Sequence, residues 1–186
     1  MKPIRKSVCV FCGSRAGKTS NFSSITKEVG TMIAKYGYRL VYGAGGIGLM
    51  GELADSVLKN NGEVLGVIPK HLLDMEVAKT EVTSLIITEN MHERKKVMFM
   101  NSDTIVILPG GIGTLDEFFE ILTWRQLNLH SKDIYIININ GFWDKLISLL
   151  DYLIMQEFSD CSIQEYYTVI TSLPVSYTHL TLPTKA

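Results

Sequence analysis

The stretch Thr104-Ile105-Val106-Ile107-Leu108-Pro109-Gly110-Gly111-Ile112-Gly113-Thr114-Leu115-Asp116-Glu117 passes from an apolar run through a glycine turn into a helical pattern. A continuous apolar run rich in β-branched residues suits a parallel strand covered on both faces. The glycines let the backbone turn and approach a ligand closely, and the first turn of the helix behind them offers unpaired N–H groups at the positive end of its dipole. The spacing predicts an anion pocket with a carboxylate, Glu117, one helical turn further on. Thr114-x-x-Glu117 also fits a capping box, in which hydroxyl and carboxylate satisfy the free donors of a helix start. Three glycines after Pro109 exceed what a cap requires, so the turn points to a ligand whether Glu117 is a cap or a catalyst.

The same punctuation recurs along the chain. Val8 to Phe11, Arg39 to Tyr42, Val64 to Ile68, Leu85 to Thr88, Thr104 to Leu108 and Ile134 to Ile139 read as strands; Asn21 to Tyr36, Leu49 to Asn60, Arg94 to Asn101, Leu115 to Leu127 and Trp143 to Gln156 read as helices. This alternation predicts an α/β fold, a Rossmann-like doubly wound parallel sheet flanked by helices, in a single domain over residues 1–174. Ligands of such sheets bind at the carboxyl ends of the strands. Gly13-Ser14, Gly43 to Gly48, Thr88 to Lys95 and Pro109 to Thr114 all fall there, which predicts one shared site.

A chain of 186 residues, 46% hydrophobic, is long enough for one well-buried core. A net charge of −1 argues against a nucleic-acid polymer as partner, whereas a free nucleotide needs only a local cationic pocket. No apolar run of spanning length and no signal-like segment follows Lys2, Arg5 and Lys6, so no membrane association is expected and the compartment expected is the cytoplasm. The three cysteines read as reduced thiols, Cys9 and Cys12 lying on a strand rather than at a helix start. His71, His92, His130 and His179 are scattered without ligand spacing, so neither a metal nor a cofactor is expected. Gly43-x-Gly45-x-x-Gly48 matches a dinucleotide fingerprint, but it follows the second strand, and no acid is placed to hold a ribose. Gly13 to Thr19 imitates a phosphate-binding P-loop with one residue too few between its glycines.

Two further segments make the pattern specific: Met91-His92-Glu93-Arg94-Lys95-Lys96 ahead of the fifth strand, and Gly43-Ala44-Gly45-Gly46-Ile47-Gly48-Leu49-Met50-Gly51. With Pro109 to Glu117, a complete PGGxGTxxE signature, they resemble the LOG family, the cytokinin riboside 5′-monophosphate phosphoribohydrolases, over about residues 5 to 170. The resemblance implies a catalytic pair, Arg94 and Glu117. It also implies substrate contacts from Ser14, Gly45, Gly46, Lys95, Gly110, Gly111, Gly113 and Thr114. Met91, read as lying on the ligand-side loop, is the candidate for a base contact because a thioether adapts to flat apolar surfaces. The substrate implied is a nucleoside 5′-monophosphate, cleaved to free base and ribose 5-phosphate. A general AMP nucleosidase and a non-catalytic nucleotide carrier remain as alternatives. Older lysine decarboxylase labels for such sequences find no support, since nothing marks a lysine as a Schiff-base partner.

A homodimer or larger homo-oligomer is implied as well, and the apolar helix face of Phe118, Phe119, Ile121, Leu122 and Trp124 reads as core packing or as that interface. Asp116 and Glu120 read as dipole partners or solvated acids. Residues 175–186, Ser176 to Ala186 in particular, lack the amphipathic pattern expected of a terminal helix and read as an atypical tail foreign to the domain.

Overall fold

The computed structural model describes residues 6–73 and 78–173. Seven parallel strands form one sheet: β1 (Ser7–Phe11), β2 (Arg39–Tyr42), β3 (Glu63–Pro69), β4 (Ser84–Thr88), β5 (Thr104–Ile107), β6 (Asp133–Ile137) and β7 (Thr168–Ile170). Their order is β4-β3-β2-β1-β5-β6-β7. The chain winds outward from β1 to β4, then returns to the other side of β1 and winds outward again. Right-handed crossovers in opposite directions put their helices on opposite faces. Helices α1 (Ser20–Lys35) and α2 (Gly48–Lys59) therefore cover one face, and α3 (Met91–Met100), α4 (Ile112–Gln126) and α5 (Asp144–Met155) the other.

Each strand serves both layers because successive side chains alternate. Val8 and Val10 pack with Ile25, Val29, Leu53 and Val57 of α1 and α2, while Cys9 and Phe11 pack with Met98, Phe118, Ile121 and Leu150 of α3 to α5. The continuous apolar strands follow from this two-sided burial, and the predicted Rossmann-like, doubly wound architecture is observed. Six strands are legible in the sequence; the seventh, Thr168–Ile170, has three residues behind the polar segment ending Glu165-Tyr166-Tyr167, too short for a periodic signal. Phe118, Ile121 and Leu122 are buried in the chain's own core, while Phe119 and Trp124 of the same helix are half-buried. The tail at 175–186 lies outside the described residues.

The two helices on the first face approach closely at Gly30, where an added Cβ would meet Ser56 Cβ at 2.7 Å and the Leu53 carbonyl oxygen at 2.9 Å. Ser56 Oγ donates to the Lys27 carbonyl at 2.5 Å across the same contact. Gly30→Val is expected to lower stability by about 1–3 kcal/mol through overpacking. Urea unfolding would show a lower midpoint at an unchanged slope; an unmoved midpoint would mean that the helices part at little cost.

Candidate active site

Strand order reverses between β1 and β5, and the crevice of a doubly wound sheet opens at that reversal. The loops leaving these strands are in direct contact: Gly13 N–H donates to the Pro109 carbonyl at 3.0 Å, and Leu108 N–H to the Phe11 carbonyl at 2.9 Å. A Cβ on Gly13 would stand 3.3 Å from Gly110 Cα, so the absence of a side chain here eases the close approach of the two loops. Between them lies a cavity of about 630 Å³, within the range of small-molecule sites. Its polar lining includes Ser14, Arg15, Arg94, Thr114, Asp116, Glu117 and the backbone from Pro109 to Gly113, and its apolar lining includes Phe22, Met50, Leu72, Met91, Met98 and Phe142.

Helix α4 starts at Ile112 with Gly111 as its cap residue, and no side chain caps it. Its first backbone bond is Leu115 N–H to the Gly111 carbonyl at 3.1 Å, so the N–H groups of Ile112, Gly113 and Thr114 precede the helical ladder and border the cavity. Thr114 is the third residue of the helix rather than its cap, which overturns the capping-box reading of Thr114 and Glu117. Its hydroxyl instead packs where a Cβ on Gly110 would fall, so a larger residue at 110 would displace it. Glu117, one turn on, faces the cavity.

The true capping box lies on α3. Asn90 Oδ1 accepts from Glu93 N–H at 2.9 Å, and Glu93 Oε2 accepts from Glu89 N–H at 2.8 Å. Consequently α3 begins at Met91, three residues before the start read from the sequence, and Met91 sits on its first turn instead of on a loop. Arg94 is 5% exposed. Its Nη2 donates to the Gly43 carbonyl at 2.7 Å, its Nε to the Val67 carbonyl at 3.2 Å, and its Nη1 lies 3.6 Å from Met91 Sδ. A Cβ on Gly43 would overlap Arg94 Nη2, so this glycine makes room for the guanidinium.

The charge of Glu117 reaches the cavity wall at β1. Burial first, and Glu117 second, push the Cys12 thiol well above its ordinary value, and the same two causes lead for Cys9. These thiols stay protonated and cannot act as thiolate nucleophiles. Among the described residues no group of three or more His, Cys, Asp or Glu is assembled for a metal.

A family model described as "possible lysine decarboxylase" matches residues 30–177. A cytokinin riboside 5′-monophosphate phosphoribohydrolase of Arabidopsis thaliana is 39% identical over 153 residues, 82% of this chain and 72% of that protein. One from Rhodococcoides fascians is 39% identical over 158 residues, 84% of this chain and 80% of the relative. The chain belongs to the LOG family. A molybdenum-cofactor carrier protein of Chlamydomonas reinhardtii shares the fold, with a TM-score of 0.71 at 19% identity over 95% of each chain.

Of the residues singled out from the LOG resemblance, Arg94, Glu117, Ser14, Met91, Gly110, Gly111, Gly113 and Thr114 converge on the cavity. Three others stand outside its lining. Gly45 admits Met50, whose Cε would lie 2.6 Å from an added Cβ, and Gly46 presents its carbonyl to Gly51. Lys95 Nζ bridges Asp116 at 2.9 Å and Glu120 at 3.1 Å, tying α3 to α4. Asp116, which stays exposed, and the half-buried Glu120 are thus both ion-pair partners of Lys95, and His92 is exposed on α3. Among the described residues no lysine lines the cavity. The apolar liners Phe22, Leu72 and Phe142 were not anticipated, although Leu72 and Phe142 follow β3 and β6 at the same sheet edge and could have been found there.

Lys95→Met is expected to cost about 1 kcal/mol, since the two acids that lose their shared cation remain in reach of water. Burial lowers the Lys95 pKa, but the hydrogen bonds to Asp116 and Glu120 outweigh it and leave the ammonium above its ordinary 10.5. A raised pKa means stability that is complete below 10.5 and is lost as pH rises through the folded value. Denaturation of both proteins across pH would show a gap through neutrality that closes in strong alkali, and in acid as the carboxylates take up protons; an equal gap at all pH values would contradict the ion-pair account.

Proposed function

We propose that this chain hydrolyses the N-glycosidic bond of nucleoside 5′-monophosphates, cytokinin ribosides among them, releasing free base and ribose 5-phosphate. The observation that carries the reading is the convergence of an uncapped helix start, a buried arginine and a carboxylate on one cavity at the strand-order reversal. Membership of the LOG family supports the same chemistry, since the relatives named above are phosphoribohydrolases of this kind.

The mechanism follows from the charges. The N–H groups of Gly111, Ile112, Gly113 and Thr114 hold the 5′-phosphate against the positive end of α4, with Gly110 and Ser14 beside them. That anchor sets the ribose one helical turn along, beside Glu117. Departure of the base builds positive charge on the sugar, as in glycoside hydrolysis, and the carboxylate stabilises it and orients the attacking water. Arg94, held by two carbonyls, is a preorganised positive group at the reacting centre that costs no reorganisation during the reaction. Base and substituent then fall on the apolar side, where Met91, Leu72 and Phe142 stand; these residues favour a base with an apolar tail over plain AMP. The reading includes a cytoplasmic setting and assembly into a homodimer or larger homo-oligomer, and a monomer mass in light scattering would remove the latter.

Chromatography of AMP and isopentenyladenosine 5′-monophosphate after incubation with the protein tests the reading. Cleavage of the prenylated nucleotide above AMP is expected. Glu117→Gln and Arg94→Ala should each lower kcat by about 10²-fold or more. Equal cleavage of both substrates would indicate a general nucleosidase, recovery of intact bound nucleotide a carrier, and near-normal turnover in either variant would remove the assigned pair.

A further inference from the structure

Among the described residues two cations line the cavity, Arg15 and Arg94, and their circumstances differ. Arg94 is buried, and its donors are directed at Gly43, Val67 and Met91, so it cannot move to the start of α4 without abandoning buried carbonyls. Arg15 is exposed, and among the described residues it enters no ion pair. Its backbone is nonetheless fixed from three sides. Gly13 N–H is bonded to Pro109, the Gly13 carbonyl accepts from Met50 N–H at 3.3 Å, and a Cβ on Gly48 would lie 2.6 Å from Arg15 N. The missing Cβ of Gly13 would stand 3.1 Å from the Arg15 carbonyl oxygen and 3.3 Å from Gly110 Cα, so Arg15 emerges beside the glycine turn that leads into α4.

A phosphate monoester loses its second proton near pH 6 and then carries close to two charges over three oxygens. The α4 amides approach it from the protein side and leave its outer oxygens to solvent. A planar guanidinium on a fixed backbone and a free side chain matches two such oxygens at once. We propose that Arg15 is a phosphate-binding residue that closes on the outer oxygens of the ligand's 5′-phosphate from the mouth of the cavity and thereby selects nucleotides over nucleosides. This rests on the nucleotide reading of the cavity. It assigns a purpose to a segment, Gly13 to Thr19, whose likeness to a P-loop fails on spacing: the phosphate contact comes from an arginine side chain here, not from a wrapped backbone.

The test compares wild type, Arg15→Ser and Arg15→Lys on AMP, on isopentenyladenosine 5′-monophosphate and on the matching nucleosides, with ribose 5-phosphate as competitor. In Arg15→Ser, KM for the nucleotides should rise about tenfold with little change in kcat, and inhibition by ribose 5-phosphate should weaken by the same factor. The preference for nucleotide over nucleoside in kcat/KM should fall in proportion, and Arg15→Lys should recover part of it. A KM and an inhibition constant within twofold of wild type would overturn the proposal while leaving the hydrolase reading intact. Should wild type cleave none of these nucleotides, the hydrolase reading fails, and calorimetric binding of AMP decides Arg15 separately: tenfold weaker binding in Arg15→Ser upholds its role, whereas equal binding, or none by wild type, overturns it.

Discussion

The bonds from the Arg94 guanidinium to the carbonyls of Gly43 and Val67, at 2.7 and 3.2 Å, are the constraint on which the site depends. Gly43 leaves β2 and Val67 lies within β3, so a side chain from α3 is anchored to two neighbouring strands on the far side of the strand-order reversal from α4. Burying a guanidinium is costly unless its donors are met, and the carbonyls of Gly43 and Val67 meet two of them. The next residue, Lys95, turns the other way and binds Asp116 and Glu120, so two successive residues of one helix register the sheet, α3 and α4 against each other. Asp116 precedes Glu117, and the same clamp therefore sets where the Glu117 backbone stands relative to Arg94.

Two helices of similar build begin at this edge of the sheet, and they are used differently. Neither α2 nor α4 has a side-chain cap. At α2 the Met50 N–H is taken by the Gly13 carbonyl, and Gly48, with φ of +60°, lies against the Ser14 main chain, so this helix start is closed by the β1 loop. At α4 the corresponding donors border the cavity instead. The glycine-rich segment Gly43 to Gly51 is thus mainly a device for close packing, while Gly110 to Gly113 presents main-chain donors to a ligand. Both read alike as glycine-rich turns after strands, and only the contacts of their helix starts separate them.

Much of the fold was legible because a parallel sheet buried on both faces demands unbroken apolar strands, and six of these stand out between polar helices. Since ligands gather at the carboxyl ends of such strands, the site could be located from strand positions alone, and eight of the chosen residues meet there. What escaped was set by partners distant in sequence. Lys95 looked like a ligand contact because nothing local reveals that Asp116, 21 residues later, lies 2.9 Å away. Gly45 and Gly46 carried no sign that a methionine and a carbonyl would fill the space beside them. The helix start at Asn90 is a different case: Asn90-x-x-Glu93 is a local signal and was readable, but the basic run after it drew the boundary to Arg94.

The thiols in the wall limit which chemistry the cavity can support. Cys12 is a cavity residue within reach of Glu117's charge, and a nucleophilic cysteine would be the natural rival to an activated water. Burial already opposes its ionisation, and the carboxylate opposes it further, because a second negative charge beside the first is unfavourable. A thiolate needs a nearby cation or a helix start aimed at the sulfur. Lys132 and, to a lesser degree, Arg94 favour ionisation at Cys9, but there too burial and Glu117 prevail. A carboxylate beside a developing sugar cation can stabilise it while water attacks, and in this wall Glu117 works against, not with, thiol nucleophiles.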